Sequence, residues 1–89
     1  MVNHRGKSDE IGRNLRKIRL QKRLMQIDVA VATSLNRTYI SRIETGKARV
    51  TFSLVCHLIR RLDIEPHDLL DSEIVAFLGD NFWHRRKLP

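Results

Sequence analysis

The chain has 89 residues, which is the length of one domain with a modest hydrophobic core. Seventeen Lys and Arg residues against ten Asp and Glu residues give a formal net charge of +7, which favours a polyanionic partner such as nucleic acid. Charge alone does not decide this, because many small soluble proteins are basic without binding nucleic acid. The single cysteine, Cys56, excludes an intramolecular disulfide and the zinc sites that are built on paired cysteines.

The sequence contains no pattern typical of a membrane protein or an enzyme. Its longest apolar run, 74–78, is too short to span a bilayer, and residues 1–10 lack the apolar core of a signal peptide. The four histidines are scattered, with no HExxH motif, phosphate loop or triad spacing among them. We therefore expect a reduced, cytoplasmic protein that is not an enzyme, does not associate with membranes, and uses no cofactor or metal.

The first helix is predicted over about 8–22. Ser8 is suited to cap it, and Asp9 and Glu10 would then lie in its first turn, where the helix dipole favours negative charge. Apolar residues recur on one helical face at Ile11, Leu15 and Ile18. The other faces are basic, and the sequence leaves open whether they contact phosphate or only solvent. Residues 1–7 are expected to be a flexible basic N-terminus.

Two short helices joined by a tight turn follow, and the rest of the chain is organised around them. The second helix is predicted to start near Gln26, and the stretch 33–36 then interrupts the helical pattern. Asn36 can accept hydrogen bonds from free amides of the next helix and so cap it; contact with DNA is its alternative role. The third helix is predicted over 37–45. Its inward residues are Ile40, Ile43 and Glu44.

The outer face of the third helix is suited to nucleic acid. It has hydrogen-bond donors of the kinds that pair with base edges and phosphates, and no acidic residue that would repel a phosphate backbone. Its residues are Arg37, Thr38, Tyr39, Ser41, Arg42 and Thr45. Gly46 supplies a left-handed residue that ends the helix, and Lys47 and Arg49 follow in a loop where phosphate contacts are expected.

The fourth helix has an unusually wide apolar stripe. Thr51 or Ser53 can cap this helix, since both precede Leu54, the first residue of the stripe. The stripe comprises Leu54, Val55, Leu58, Ile59 and Leu62. Its width indicates that part of it faces something other than the core of its own chain.

The end of the chain completes an all-α architecture. Pro66 suits the first turn of a fifth helix, from which Leu69 and Leu70 would be buried. The pattern also allows a short sixth helix that starts at Asp71 or Ser72 and is stopped by Gly79. Its apolar residues would be Ile74, Phe77 and Leu78. The predicted domain therefore covers 8–78, and a tail covers 79–89.

With the helices placed, the segment 11–70 resembles the phage-repressor and Cro-like helix-turn-helix family of the xenobiotic-response-element type. The matching stretches are LRKIR at 15–19, Gln26, Val29-Ala30, RTYISRIETGK at 37–47 and LDIEPHDLL at 62–70. The resemblance implies a compact bundle of five helices whose third helix enters the major groove of DNA. Within the family, LNRTYIS at 35–41 and the short length are similar to the controller proteins of restriction–modification systems, although antitoxins and phage regulators share these features.

The resemblance also implies roles for individual residues. It puts base-reading side chains at Arg37, Thr38 and Arg42, with Tyr39 and Ser41 beside them. It implies a phosphate contact for Gln26, at the start of the second helix. Together with the loop and the third helix, the predicted phosphate contacts are then Gln26, Asn36, Thr45, Lys47 and Arg49. Finally, it implies a structural ion pair between Arg19 of the first helix and Glu44 of the third.

Two positions depart from the family pattern. Met25 stands where a Ser or Thr cap is usual, so the second helix would lack an N-cap worth about 1 kcal/mol. Ser34 stands where the turn usually has Gly, and a left-handed Ser costs about 1–2 kcal/mol relative to Gly.

These features predict a homodimeric transcription regulator that binds a palindromic operator in double-stranded DNA, with half-sites about 34 Å apart. The dimer surface is expected on the wide stripe of the fourth helix and on later apolar residues, unless these only close the monomer core. Those later residues are Ile74, Phe77, Leu78, Phe82 and Trp83. The alternative is an antitoxin-like interaction module, in which the aromatic and basic tail at 82–87 binds a protein partner and DNA binding is secondary.

Overall fold

The computed structural model describes residues 4–70, and their side chains from Ser8 onward. The predicted sixth helix and the C-terminal tail lie outside the described residues. The five helices are α1 His4–Gln21, α2 Gln26–Thr33, α3 Arg37–Glu44, α4 Phe52–Leu62 and α5 Pro66–Leu69. Residues 4–70 contain no strand, and the prediction of an all-α, five-helix bundle is confirmed.

All five helices contribute apolar side chains to one core. α1 packs on α3 and α5, and α2 packs on α3 and α4. The fully buried apolar residues are Leu15, Val29, Ile40, Ile43, Leu58, Ile59 and Leu69. Each buried aliphatic side chain contributes about 1.5–3 kcal/mol, so α3 is held firmly by its inner face. Asn14 adds a polar link, because its Nδ2 donates a 2.9 Å hydrogen bond from α1 to the carbonyl of Leu69 in α5.

The start of α1 differs from the prediction. The helix begins at His4, so residues 4–7 are its first turn and Ser8 lies inside it; the N-cap predicted at Ser8 is wrong. The Ser8 side chain is buried, and its hydroxyl oxygen accepts a 3.2 Å hydrogen bond from the backbone N–H of Val50. A Ser hydroxyl can serve a local or a distant amide. Here folding brings the loop before α4 against α1, and the distant amide is the one that it binds.

The other helix starts agree with the local sequence signals. The hydroxyl of Thr51 accepts a 3.1 Å hydrogen bond at the start of α4, and Pro66 lies at the start of α5. Met25 makes no side-chain cap, as its apolar side chain predicts. The carboxylate of Asp28 nevertheless accepts a 2.7 Å hydrogen bond from the backbone N–H of Met25, so half of a capping box is present at α2.

Two glycines set the close approach of α1 and α3. A Cβ on Gly12 would overlap the carbonyl oxygen of Ile43, and a Cβ on Gly46 would overlap the carboxylate of Asp9. Gly46 also has a φ of 76°, the left-handed conformation that was predicted for it. The N-terminal half of α1 can therefore lie directly against the C-terminal end of α3.

The turn between α2 and α3 contains a left-handed serine and is held by α4. Ser34 has φ 60° and ψ 28°. Its hydroxyl oxygen accepts a 2.9 Å hydrogen bond from Arg61 Nη2, and His57 Nε2 donates a 2.6 Å hydrogen bond to the carbonyl of Thr33. Because both donors belong to α4, this helix compensates part of the strain that Ser has relative to Gly at this position.

Candidate nucleic-acid interface

The polar face of α3 lies outward because its other face is anchored in the core. Asn36 caps the helix, since its Oδ1 accepts a 2.7 Å hydrogen bond from the backbone N–H of Tyr39. Arg37, Thr38 and Arg42 are exposed, while Tyr39 and Ser41 are partly buried at the edges of the face. The fold thus brings the five predicted base-reading residues together on one helix surface, and their contacts with DNA stay a prediction.

A buried ion pair fixes α3 to α1. Arg19 Nε donates to Glu44 Oε2 at 2.7 Å, and Arg19 Nη2 donates to Glu44 Oε1 at 3.0 Å. The side chains are 10% and 1% exposed. The hydrogen bond to Glu44 raises the pKa of the Arg19 guanidinium, against the opposing effect of burial. Arg19 Nη1 also donates a 2.9 Å hydrogen bond to the carbonyl of Leu24, so one guanidinium joins α1, α3 and the turn before α2.

Gln26 links this ion pair to the surface. Its Nε2 donates a 3.1 Å hydrogen bond to Glu44 Oε1. Its Oε1 accepts a longer, 3.5 Å hydrogen bond from Arg37 Nη1 at the N-terminal end of α3. The residue that was predicted to bind phosphate therefore contacts both the structural carboxylate and a predicted base-reading side chain.

The loop after α3 is built around Arg42. The backbone N–H groups of Lys47 and Ala48 donate to the carbonyl of Arg42 at 2.8 and 3.1 Å, and Arg42 Nη2 donates back to the carbonyl of Lys47 at 3.0 Å. The Thr45 hydroxyl donates to the carbonyl of Ser41 at 2.9 Å. Ala48 is buried, and its neighbours Lys47 and Arg49 are exposed. The loop thus presents both predicted phosphate-binding cations to solvent.

A second basic surface lies on α1. Arg13, Arg16 and Lys17 are exposed along one side of the helix, next to the exposed Leu20. Within the described part of the chain, none of these three cations forms an ion pair. Their charge is therefore not neutralised by an ion pair and adds to the positive charge of the protein surface.

The described residues, 4–70, contain no cluster of His, Cys, Asp and Glu side chains that could hold a metal ion. In the same range, no helix is both long enough and apolar enough to cross a membrane.

Several contacts around the site were missed in the sequence analysis. The links from Gln26 to Glu44 and Arg37, and from Arg42 to the Lys47 carbonyl, have no sequence signal, because long polar side chains have many alternative partners. Gly12 did have a signal: a glycine inside a helical pattern is unfavourable unless another backbone approaches it closely. The role of α4 in the turn could have been suspected only from Ser34, which stands at a position that favours Gly.

The chain is similar to known proteins in sequence and in fold. Residues 10–72 match the family described as "Helix-turn-helix domain". The chain is 41% identical over 66 residues to "Control protein C.BamHI" of Bacillus amyloliquefaciens, an alignment that covers 73% of this chain and 82% of that protein. It also resembles the crystal structure of the restriction-modification controller protein C.AhdI from Aeromonas hydrophila. That match has a TM-score of 0.69 and 32% identity, and it covers 78% of this chain and 100% of the other.

Proposed function

Because the chain belongs to the helix-turn-helix family that includes the restriction–modification controller proteins, we propose that it is a DNA-binding transcription regulator that recognises a specific operator as a homodimer. The observation that supports this most directly is the outer face of α3. The face is polar, free of acidic side chains, and held rigidly by buried residues and an ion pair on its inner side. A rigid helix with such a surface fits the major groove, where base edges differ in their hydrogen-bond pattern.

Arg37 and Arg42 are the proposed guanine readers. A guanidinium donates two parallel hydrogen bonds to guanine O6 and N7, which is worth about 1–3 kcal/mol of discrimination against other bases. Arg42 uses one N–H for the Lys47 carbonyl, and an arginine has five, so enough donors remain for a base. Thr38, Tyr39 and Ser41 would contact neighbouring base edges, a thymine methyl group or phosphate.

Polar groups around α3 are the proposed phosphate contacts. They are the partly buried Gln26 and the exposed Asn36, Thr45, Lys47 and Arg49. Lys47 and Arg49 would supply affinity that does not depend on sequence and that decreases with salt, because bound cations release counterions from the phosphate backbone. The cap uses only Oδ1 of Asn36, so both amide N–H groups of this residue remain to donate to a phosphate. Thr45 has a single O–H donor, which the Ser41 carbonyl accepts, so its contact with a phosphate would require this O–H to turn away from Ser41.

The proposed dimer surface includes part of α4. In its apolar stripe, Val55, Leu58 and Ile59 are buried in the core, whereas Leu54 and Leu62 are only partly buried. A second copy would cover this remaining apolar surface and would present two α3 helices to successive major grooves, about 34 Å apart. Sedimentation at micromolar concentration tests this proposal, and a monomer there contradicts it.

Selection of bound duplexes from a random DNA pool, at near-physiological salt, tests the function itself. We expect an enriched palindrome whose half-site centres are one helical turn apart. An enriched sequence without symmetry would support specific DNA binding and contradict the homodimer geometry. No enrichment by a folded protein would refute sequence-specific binding, and the search for a protein partner would then take priority.

A further inference from the structure

Two side chains on one face of α4 attach this helix to the turn between α2 and α3. His57 and Arg61 are four positions apart, so they are neighbours on the helix surface. His57 Nε2 lies 2.6 Å from the carbonyl oxygen of Thr33, and this nitrogen must carry the hydrogen because a carbonyl oxygen only accepts. Arg61 Nη2 donates to Ser34 Oγ at 2.9 Å. We call this pair of hydrogen bonds the α4 clamp.

The α4 clamp constrains the turn differently from the apolar packing around it. Thr33 is the last residue of α2, where carbonyl groups have no partner within the helix, and His57 supplies that partner from α4. α2 also packs on α4, but the burial of apolar surface is non-directional, whereas a hydrogen bond depends strongly on its angle. The clamp therefore fixes the direction in which the turn, and α3 after it, leaves α4.

The helix that carries the clamp also carries the proposed dimer surface. The partly buried Leu54 precedes His57 on α4, and the partly buried Leu62 directly follows Arg61. In the proposed homodimer, the position of each α3 relative to the other would thus depend on α4 and on the clamp. A shift of one base pair between half-sites moves them by about 3.4 Å and rotates them by about 34–36°. The two α3 helices fit only the spacings that their relative position allows.

We propose that the α4 clamp is a determinant of the half-site spacing that the protein accepts, with Ser34, His57 and Arg61 as positioning residues for α3. This inference rests on the proposed function, because it requires a homodimer that binds two half-sites. A turn held by directional hydrogen bonds resists the rotation of α3 that a displaced half-site would demand. A looser turn allows this rotation at a smaller cost in free energy, so the protein discriminates less between spacings.

Ser34→Gly separates this role from a purely structural one. Ser34 has a left-handed backbone, with a φ of 60°, which is strained for any residue with a Cβ. Glycine relieves this strain, so the variant is expected to be more stable, although it loses the hydrogen bond from Arg61. If the clamp contributed to stability alone, spacing selectivity would follow stability. The inference expects the two to change in opposite directions in this variant.

Substitutions in α4 provide a loss, a rescue and a control. His57→Phe keeps an aromatic ring and removes the donor, whereas His57→Gln keeps a side-chain N–H and serves as the rescue. Arg61→Met keeps most of the aliphatic stem and removes the donors. Arg60→Met is the matched control, because it removes the same charge from an exposed position of α4 that makes no side-chain hydrogen bond in the described structure.

The experiment measures affinity for the selected operator and for two duplexes with the same half-sites one base pair closer together or farther apart. Thermal unfolding checks that each variant is folded. We expect Ser34→Gly, His57→Phe and Arg61→Met to lower the ratio of affinities between the selected and the altered spacings about 2- to 10-fold, the range that corresponds to one hydrogen bond. His57→Phe should have a larger effect than Arg61→Met, because its contact is partly buried and the other is exposed. His57→Gln should restore most of the ratio, and Arg60→Met should leave it unchanged.

Unchanged ratios in Ser34→Gly and His57→Phe would overturn the inference, and an intact palindromic operator would then leave the proposed function standing. Ratios that rise and fall with thermal stability, with Ser34→Gly the most selective variant, would also overturn it. An equal decrease in Arg60→Met and Arg61→Met would assign the effect to charge and contradict the clamp. Failure of the proposed function is a different result, namely a monomer in solution or the absence of any enriched operator.

Discussion

Replacing Glu44 with Gln tests the ion pair between α1 and α3, because it removes a charge and almost preserves the shape. The carboxylate is 1% exposed and accepts hydrogen bonds from Arg19 Nε, Arg19 Nη2 and Gln26 Nε2. A Gln at this position would have only one oxygen acceptor, so its NH2 group would face hydrogen-bond donors. The guanidinium of Arg19, whose side chain is only 10% exposed, would also lose its counter-charge. Removing one partner of a buried ion pair costs about 3–5 kcal/mol.

Urea unfolding followed by circular dichroism measures this loss. Small domains have a total free energy of unfolding of about 5–15 kcal/mol, so this loss should remove a large part of the stability of the Glu44→Gln variant and shift its unfolding midpoint to clearly lower urea. Replacing both members, as in Arg19→Met with Glu44→Leu, should cost much less than either single change, because no charge is left buried alone. Arg16→Met is the control: Arg16 is exposed on the same helix and should change stability by at most about 0.5 kcal/mol.

If the free energy of unfolding of Glu44→Gln were less than about 1 kcal/mol below that of the wild type, this reasoning would be refuted, since the buried ion pair would then be no stronger than an exposed one. The pH dependence gives a second check. Because the pairing raises the pKa of Arg19 in the folded state, its contribution is complete below the ordinary pKa of an arginine and is lost only as the pH rises past that value. Titration of Arg19 should therefore produce no change of stability near neutral pH.

Four further substitutions test the α3 surface and its supports. Arg42→Ala should weaken binding to the operator by about 1–3 kcal/mol and relax the base preference at one position. Lys47→Ala should weaken binding to operator and random duplexes alike and reduce the slope of log affinity against log salt concentration by about 1. Equal losses of affinity on both duplexes for Arg42→Ala would contradict its reading role. Ser34→Gly should raise the free energy of unfolding by about 0.5–1 kcal/mol, because it relieves left-handed strain of about 1–2 kcal/mol and loses the hydrogen bond from Arg61. If Ser34→Gly were less stable than the wild type in the urea assay, the hydrogen bond from Arg61 would outweigh the strain. Gly12→Ala should destabilise by about 1–3 kcal/mol in the same assay, because the added methyl group overlaps a backbone carbonyl of α3, and unchanged stability would mean that α1 can shift away without cost.

The starts of α3, α4 and α5 were predictable because their signals are local. Asn36 and Thr51 accept hydrogen bonds from amides three residues later, and Pro66 fits the start of a helix by its own geometry. The inward and outward faces of α3 followed from helical periodicity, which depends only on the spacing of residues within the same helix. For the same reason, the set of side chains on the candidate interface could be named from the sequence.

What those side chains bind within the protein was decided by the tertiary structure. Ser8 has a good cap composition, but its hydroxyl binds an amide 42 residues away. Gln26 and Arg42 have several donors and long flexible stems, so their partners depend on which carboxylate or carbonyl the packing of other helices brings near. The ion pair of Arg19 with Glu44 was anticipated only through the family resemblance, because nothing in local spacing joins residues 25 positions apart. Local backbone geometry thus determined the helices and their faces, whereas the choice among distant polar partners required the folded core that brings them within hydrogen-bonding distance.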